Sequence, residues 1–354
     1  MAKIKVLYVV ESFSTGVYAI VRDVACNLDQ SKFDVLIVHS LRDDSPKEKQ
    51  IDTDYKQKNI TLKYLPMGKS KEYIPAVKAI KEIIKEYKPD AIHLHSSKAG
   101  FLGRQAIKGK RQNVLYSPHG FSFLRTDVGS LKRFIFFQLE YWINKYAPSK
   151  FIAVSEGEKE HALKITQDSV VINNFIDAKP FANSPLGEEN LVVTCGRVSP
   201  QKNPSLFNEI ALALPKVNFL WVGDGPLREQ LTSKNITITG LISRDKAIEQ
   251  VKRGYIYLQT SLWEGMPVSI LEAMAAAKAT VASNIIGNRD LITHDKTGIL
   301  CDPDKPNEFI EAIKMLLSKK EEVLRLGTSA QKYIFEHHAL EQAVSKYEKY
   351  YINE

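Results

Sequence analysis

Two glutamates stand eight positions apart in the run Ser261-Leu262-Trp263-Glu264-Gly265-Met266-Pro267-Val268-Ser269-Ile270-Leu271-Glu272. Carboxylates that accept from vicinal hydroxyls are how a protein holds a ribose or a hexose. Residues 256–259 ahead of the run read as a strand, Gly265 as a tight loop and 268–277 as a helix with Pro267 at its first position, where a missing N–H is harmless. Open N–H groups and the positive dipole end of that helix suit a diphosphate. Glu264 falls in the loop and Glu272 more than one turn into the helix, so the two reach different parts of one ligand.

A second cluster is Thr194-Cys195-Gly196-Arg197-Val198-Ser199-Pro200-Gln201-Lys202-Asn203-Pro204. A strand ends at Gly196, and two cations follow in one loop. A departing diphosphate needs fixed positive charge; arginine offers a rigid fork and lysine a point charge. Taken alone, this run also reads as a solvated basic loop. In the first half, Thr15-Gly16 opens a helix after the first strand, and His93-Leu94-His95-Ser96-Ser97-Lys98-Ala99-Gly100 ends another, with Arg104 a turn later. His93 and His95 share a strand face, which fits metal ligation or a pair of satisfied core histidines. Ser117-Pro118-His119-Gly120 closes a further strand.

These residues need a frame, and the hydrophobic pattern supplies one. Short apolar β-rich runs at 5–10, 34–39, 61–65, 91–95, 113–117 and 151–154 alternate with helical stretches at 17–28, 74–87 and 131–146. The alternation restarts with strands at 191–195, 219–222, 236–238, 256–259, 280–282 and 298–300, and helices at 204–214, 226–233, 244–252, 268–277 and 307–318. This is α/β architecture with parallel sheets. Residues 177–190, with Pro180, Pro185 and Gly187, have the composition of a linker. The expected organisation is therefore two Rossmann-like, doubly wound domains, 1–178 and 179–337, facing across a cleft. A final amphipathic helix over 338–354, with apolar residues at 340, 343, 344, 347 and 351, is expected to pack back on the first. In such sheets ligands bind outside the carboxyl ends of the strands, where both clusters fall.

At 354 residues the chain is long enough for two cores. The apolar run 6–10 is too short for a signal peptide and no segment approaches a membrane span. Cys26, Cys195 and Cys301 are few and far apart, which points to neither disulfides nor zinc and to the cytosol. The net charge of +8 comes from lysines spread along the chain without any nucleic-acid-binding pattern, so no nucleic acid is expected and an anionic membrane surface stays open. Residues 131–146 are apolar around much of the helix, with Lys132, Arg133 and Lys145 near its ends; they fit either burial in the core or a face docked on a bilayer.

The chain resembles retaining family 4 glycosyltransferases of the GT-B fold, of the type that builds capsule, O-antigen and exopolysaccharide. The resemblance rests on Glu264…Glu272 as the family's E-x7-E element and on Gly196-Arg197…Lys202 as its diphosphate cradle. It also rests on the Gly223-Asp224-Gly225-Pro226 turn, which is no dinucleotide fingerprint because Arg228 stands at the third glycine. Gly240-Leu241-Ile242-Ser243 matches the segment whose backbone meets the base, and Gly287-Asn288-Arg289-Asp290 stands where members carry a Gly-Gly-x-x-Glu segment. The resemblance implies that Glu272 binds ribose, that Glu264 meets the donor sugar, and that Gly265, Met266 and Val268 approach the diphosphate. Arg197 and Lys202 would stabilise the leaving group, and His119 would contact the donor sugar across the cleft. Gly16 would approach the donor, although Thr15 replaces a family glycine and Asn174 lacks the usual following glycine.

Similarity to members that use lipid-diphosphate-linked sugars implies that His95, Ser96, Lys98 and Arg104 bind the acceptor. The implied donor is a UDP-linked sugar and the implied site a cytoplasmic one, peripheral on the inner membrane. No cofactor and no metal are implied: Asp52-Thr53-Asp54 and Asp302-Pro303-Asp304 lie outside the cleft-facing loops. A sugar-nucleotide 2-epimerase and a non-catalytic sugar-nucleotide-binding subunit are the competing readings; no lysine sits in a recognisable context for a pyridoxal-dependent phosphorylase.

Overall fold

A computed structural model describes residues 2–56, 58, 60–107 and 113–353. The chain forms two units: Met1–Asn174 with Leu340–Glu354, and Phe175–Ala339. Residues 177–190 belong to the second unit and are bound to it, since Phe181 is buried there and the Lys278 ammonium donates to Pro185 O at 2.5 Å and Leu186 O at 3.2 Å.

In the first unit the order is β1 (Ile4–Val10), α1 (Thr15–Asn27), β2 (Phe33–His39), α2 (Glu48–Tyr55), β3 (Ile60–Tyr64), α3 (Tyr73–Tyr87) and β4 (Ala91–His95). There follow α4 (Ser97–Ile107), β5 (Asn113–Ser117), α5 (Ser130–Tyr146), β6 (Lys150–Ala153), α6 (Glu156–Ala162) and β7 (Ser169–Val171). The sheet runs β3-β2-β1-β4-β5-β6-β7, all parallel. Both faces are covered, so β1 is apolar without alternation from Val6 to Val10 and β4 is buried along its whole length. Helix α4 went unread because Gly100 and Gly103 lower its propensity. They are there to let it close on the sheet: a Cβ at either would run into the Tyr116 ring or the Leu94 side chain.

The second unit begins with β8 (Leu191–Cys195), α7 (Pro204–Ala213), β9 (Asn218–Val222), β10 (Ile236–Ile238), α8 (Arg244–Arg253) and β11 (Ile256–Gln259). It ends with α9 (Val268–Ala275), β12 (Ala279–Ser283), β13 (Ile299–Cys301), α10 (Pro306–Ser318) and α11 (Lys320–His337). Its parallel sheet has the order β10-β9-β8-β11-β12-β13. Strand order reverses at β1/β4 in one unit and at β8/β11 in the other, which makes both sheets doubly wound. The expected helix over 226–233 is absent. Asn208 Oδ1 of α7 takes the N–H groups of Thr232 and Ser233 at 2.8 and 2.9 Å, and only a short 3-10 turn forms at Arg228–Gln230.

The last helix, α12 (Leu340–Tyr351), lies in the first unit. It buries Leu340, Ala343, Val344, Tyr347 and Tyr351. Its Tyr351 hydroxyl bonds Tyr8 OH at 2.7 Å and His93 Nδ1 at 2.9 Å, while His93 Nε2 meets Ser117 Oγ at 2.9 Å. His93 is thus a core histidine with both nitrogens occupied, and among the described residues no group of three or more His, Cys, Asp or Glu gathers as a metal site.

Candidate functional site

The loop after β8 and the loop after β11 leave adjacent central strands, so the switch point brings them together. Leu262 N donates to Gln201 O at 2.8 Å and Thr260 Oγ1 to Lys202 O at 2.8 Å, which fastens one loop to the other. On this support Lys202 Nζ sits 2.7 Å from Glu264 Oε1. The same oxygen accepts from Ser261 Oγ at 2.8 Å and Gln259 Nε2 at 3.4 Å, while Oε2 accepts from Gln201 Nε2 at 3.0 Å. Glu264 is therefore a fully engaged acceptor that aims the lysine.

Gly196 begins the first loop and is pinned from three sides. Its N–H reaches Val222 O at 2.9 Å, its carbonyl accepts from Trp221 Nε1 at 2.9 Å, and the carbonyl also rests on Gly223 (φ +136°), where it would stand 2.3 Å from a Cβ. Arg197 follows, half-buried. Gly223 N donates to Thr239 Oγ1 at 3.0 Å, which ties the turn after β9 to the end of β10. Ile242 lies further along, beside Thr239 and Asp245 in a shallow depression of about 560 Å³.

Helix α9 points its N-terminus at the β11 loop. Pro267 is extended (φ −74°, ψ 117°) and so caps the helix rather than starting it, a one-residue correction. Gly265, Met266 and Val268 lead into this turn, and Gly287 presses against the carbonyls of Glu264 and Gly265. Glu272, in the helix and nearly buried, is held by Arg244: Nε and Nη2 reach Oε1 at 3.1 and 2.9 Å. Below the loops, burial among strands pushes the Cys195 thiol up to about 12, and the Tyr257 hydroxyl bridges toward Gln259 at 3.2 Å.

In the first unit the corresponding switch point lies between β1 and β4. Glu11, just past β1 and almost wholly buried, pairs with Arg42 and with Lys98 Nζ at 3.2 Å; Lys98 also donates to Gly68 O at 2.8 Å. His95 Nδ1 and His119 Nε2 share one hydrogen at 2.9 Å, with their rings stacked. Burial holds His119 down to about 4 and His95 well below the usual histidine range, the latter also through its neighbours His93 and His119. His119 consequently meets any ligand as a neutral imidazole. Its loop is fixed by Glu158, which accepts from Gly120 N at 2.6 Å and Val154 N at 2.8 Å. Thr15, Ser96 and His119 all take positive φ (47°, 84° and 53°), so three non-glycine residues carry strain at the carboxyl edge of this sheet. Thr15 keeps a backbone that glycine adopts freely, beside Gly16 at the start of α1.

Two expected acceptor residues are placed otherwise. Arg104 is fully buried, paired with Glu140 at 2.5 Å and lying over the Tyr116 ring, so its charge belongs to the core. His95 is buried too, with its Nδ1 taken up by His119. Ser96 Oγ is buried without a partner, and Lys98 stays partly exposed. Sequence reasoning passed over Glu11, Gln201, Arg244, Gln259 and Ser261. Glu11 and Gln259 had a signal, a polar residue at the end of an apolar strand; Arg244 had none.

Residues 175–333 match the family described as glycosyl transferases group 1, and residues 14–179 match Glycosyltransferase Family 4. The UDP-Gal:alpha-D-GlcNAc-diphosphoundecaprenol alpha-1,3-galactosyltransferase of Escherichia coli is 31% identical over 269 residues, 68% of this chain and 69% of that protein. HepE of Anabaena, solved with UDP and glucose, has a TM-score of 0.81 at 20% identity over 98% of both chains. Sucrose-phosphate synthase of Thermosynechococcus elongatus reaches 0.83 at 18% identity over 99% of both. At those identities the two structures speak for the GT-B fold alone.

Proposed function

The chain belongs to glycosyltransferase family 4, and we propose that it moves a sugar from a UDP-linked donor to a hydroxyl of a lipid-diphosphate-linked glycan, with retention of anomeric configuration. The observation that carries this reading is the Lys202–Glu264 pair at the β8/β11 switch point, set before the N-terminus of α9. The E. coli relative's name supports both the UDP-linked donor and the diphosphate-linked acceptor. HepE's bound UDP and glucose support the donor class.

In this reading Lys202, Arg197 and the open N–H groups of α9 at Val268 receive the charge that grows on the departing diphosphate, in the role a metal ion fills elsewhere. Glu272, steadied by Arg244, accepts from the ribose hydroxyls. Glu264, Gly265 and Met266 face the donor sugar and diphosphate, Gly196 and Gly223 bring bare backbone close to it, and Ile242 flanks the base. Neutral His119 shares a hydrogen bond with a donor-sugar hydroxyl, and Gly16 lets the α1 turn approach the donor. The sugar C1–O bond breaks with its electron pair going to the phosphate. The acceptor oxygen bonds C1 on the same face and its proton passes to a phosphate oxygen. Ser96 and Lys98, with Arg42 as an added cation, hold the acceptor's diphosphate, and the enzyme works at the cytoplasmic face of an anionic membrane.

Purified protein incubated with a panel of UDP- and GDP-sugars, with and without a lipid-diphosphate-sugar mimic and with or without EDTA, tests this. UDP release only with donor and acceptor together, unaffected by EDTA and giving an α-linked product from an α-linked donor, is expected. Donor conversion without acceptor would replace the reading with an epimerase.

A further inference from the structure

Helix α5 carries its polarity the wrong way round for a helix facing water. Its buried residues, Glu140 and Asn144, are polar. Leu131, Phe134, Trp142 and Tyr146 are 72%, 59%, 48% and 63% exposed, and Ile135 and Leu139 lie open beside them. At roughly 100° per residue these six share one arc of about 140°. Single exposed hydrophobes are ordinary on a protein surface; a contiguous stripe of this size marks a contact.

The stripe is locked outward. Glu140 accepts from Arg104 at 2.5 Å and from the Tyr116 hydroxyl at 2.8 Å, and Asn144 Oδ1 accepts from Ser149 N at 3.3 Å. Rolling the apolar face inward would tear Glu140 from a guanidinium that is itself wholly buried. The fold therefore turns Glu140 and Asn144 inward beside half-buried Phe136 and Phe137, and leaves Phe134, Trp142 and Tyr146 with the aliphatic stripe for something outside.

Charge selects what that is. Lys132, Arg133 and Lys145 are exposed on α5, whereas its only carboxylate, Glu140, is turned inward. Lys145 Nζ stands 5.2 Å from the Trp142 ring, so cation and indole share one face. A second copy of the same surface would bring cation against cation. A bilayer rich in anionic lipid accepts lysines at its headgroups and rings just beneath them. Among the described residues no helix is long and apolar enough to cross a membrane, which leaves the in-plane mode.

We infer that α5 docks flat on an anionic bilayer, inserting Leu131, Phe134, Ile135, Leu139 and Trp142 below the headgroups. This deepens the membrane part of the proposed function and is independent of the transfer chemistry. The test is flotation of the full chain with vesicles of equal parts phosphatidylglycerol and phosphatidylcholine, against phosphatidylcholine alone. Wild type floats with the anionic vesicles, and Phe134→Glu/Trp142→Glu floats about tenfold less. The variant keeps its circular-dichroism melting curve and its turnover on a water-soluble acceptor. A wild type that stays at the bottom, or a variant that floats equally well, overturns the inference while leaving the transferase reading intact. A concentration-dependent dimer in sedimentation that the variant abolishes, without flotation, also overturns it and assigns the face to a second copy. Loss of soluble-acceptor turnover in wild type sinks the function and not the docking.

Discussion

Removing the Lys202 ammonium separates its electrostatic role from its structural one. The side chains of Lys202 and Glu264 keep 14% and 8% exposure, so the pair is sheltered but not sealed. Breaking a wholly buried pair costs about 3–5 kcal/mol because a charge is left without compensation. Glu264 would retain Gln201 at 3.0 Å, Ser261 at 2.8 Å and the longer contact from Gln259. Lys202→Ala should accordingly cost only about 1–2 kcal/mol, a shift of several degrees in melting temperature for a unit of this size. The effect on catalysis should be larger. A fixed cation at a departing diphosphate contributes on the scale of one preorganised donor, so kcat should fall about a hundredfold to a thousandfold. Steady-state UDP release at saturating donor, with a melting curve on the same preparation, reads both quantities. Turnover within about threefold of wild type in a folded variant would refute the assignment of Lys202 to the leaving group.

Arg244→Gln should leave Glu272 without its anchor and raise the donor KM about tenfold while kcat moves less, because the contact is made equally before and during transfer; a fall in kcat at unchanged KM would contradict this. Thr15→Gly should stabilise the protein by about 1 kcal/mol in urea unfolding, since a β-branched residue there holds a φ of 47°; a loss would mean that the Thr15 side chain is in use. Stability should also fall on acidification. His39 and His119 are held down to about 4 by burial, below the ordinary value near 6.5, so between those limits the unfolded chain binds more protons. Their contribution is complete above about pH 6.5 and is lost as pH falls toward 4; at pH 5 His39 alone should cost about 2 kcal/mol. Urea midpoints at pH 7 and pH 5 check it, and a flat response would refute it.

The alternation of strands and helices was legible because a doubly covered parallel sheet needs apolar runs such as 6–10 and 256–258. The loops after β8 and β11 were legible for the same reason: once the strands are placed, their carboxyl ends are where side chains can meet a ligand. What escaped reading depends on partners distant in sequence. Arg244 finds Glu272 and Glu11 finds Lys98 only after the chain has folded. Residues 226–233 look helical until Asn208 captures their N–H groups. Helix α5 shows most clearly why periodicity misleads. Its apolar residues suggested a core helix as readily as a membrane-facing one. Which residues turn inward is set by Glu140 and Asn144, whose partners Arg104, Tyr116 and Ser149 lie on other elements.

The placement of α12 bears on how the protein is made. The first unit is closed by residues from the far end of the chain: Tyr351 bonds Tyr8 from 343 positions away, and Asn113 donates to Tyr350 O at 2.6 Å. During synthesis the ribosome therefore delivers all of the second unit before the first can seat its last helix. Until then Tyr8 and His93 face an empty slot, while Phe175–Ala339 is a single stretch with its own core. The part of the chain that emerges first thus finishes folding last. Exposed apolar surface on residues 1–174 is a nascent-chain hazard that chaperones would meet, and a fragment ending at Asn174 would inherit it permanently.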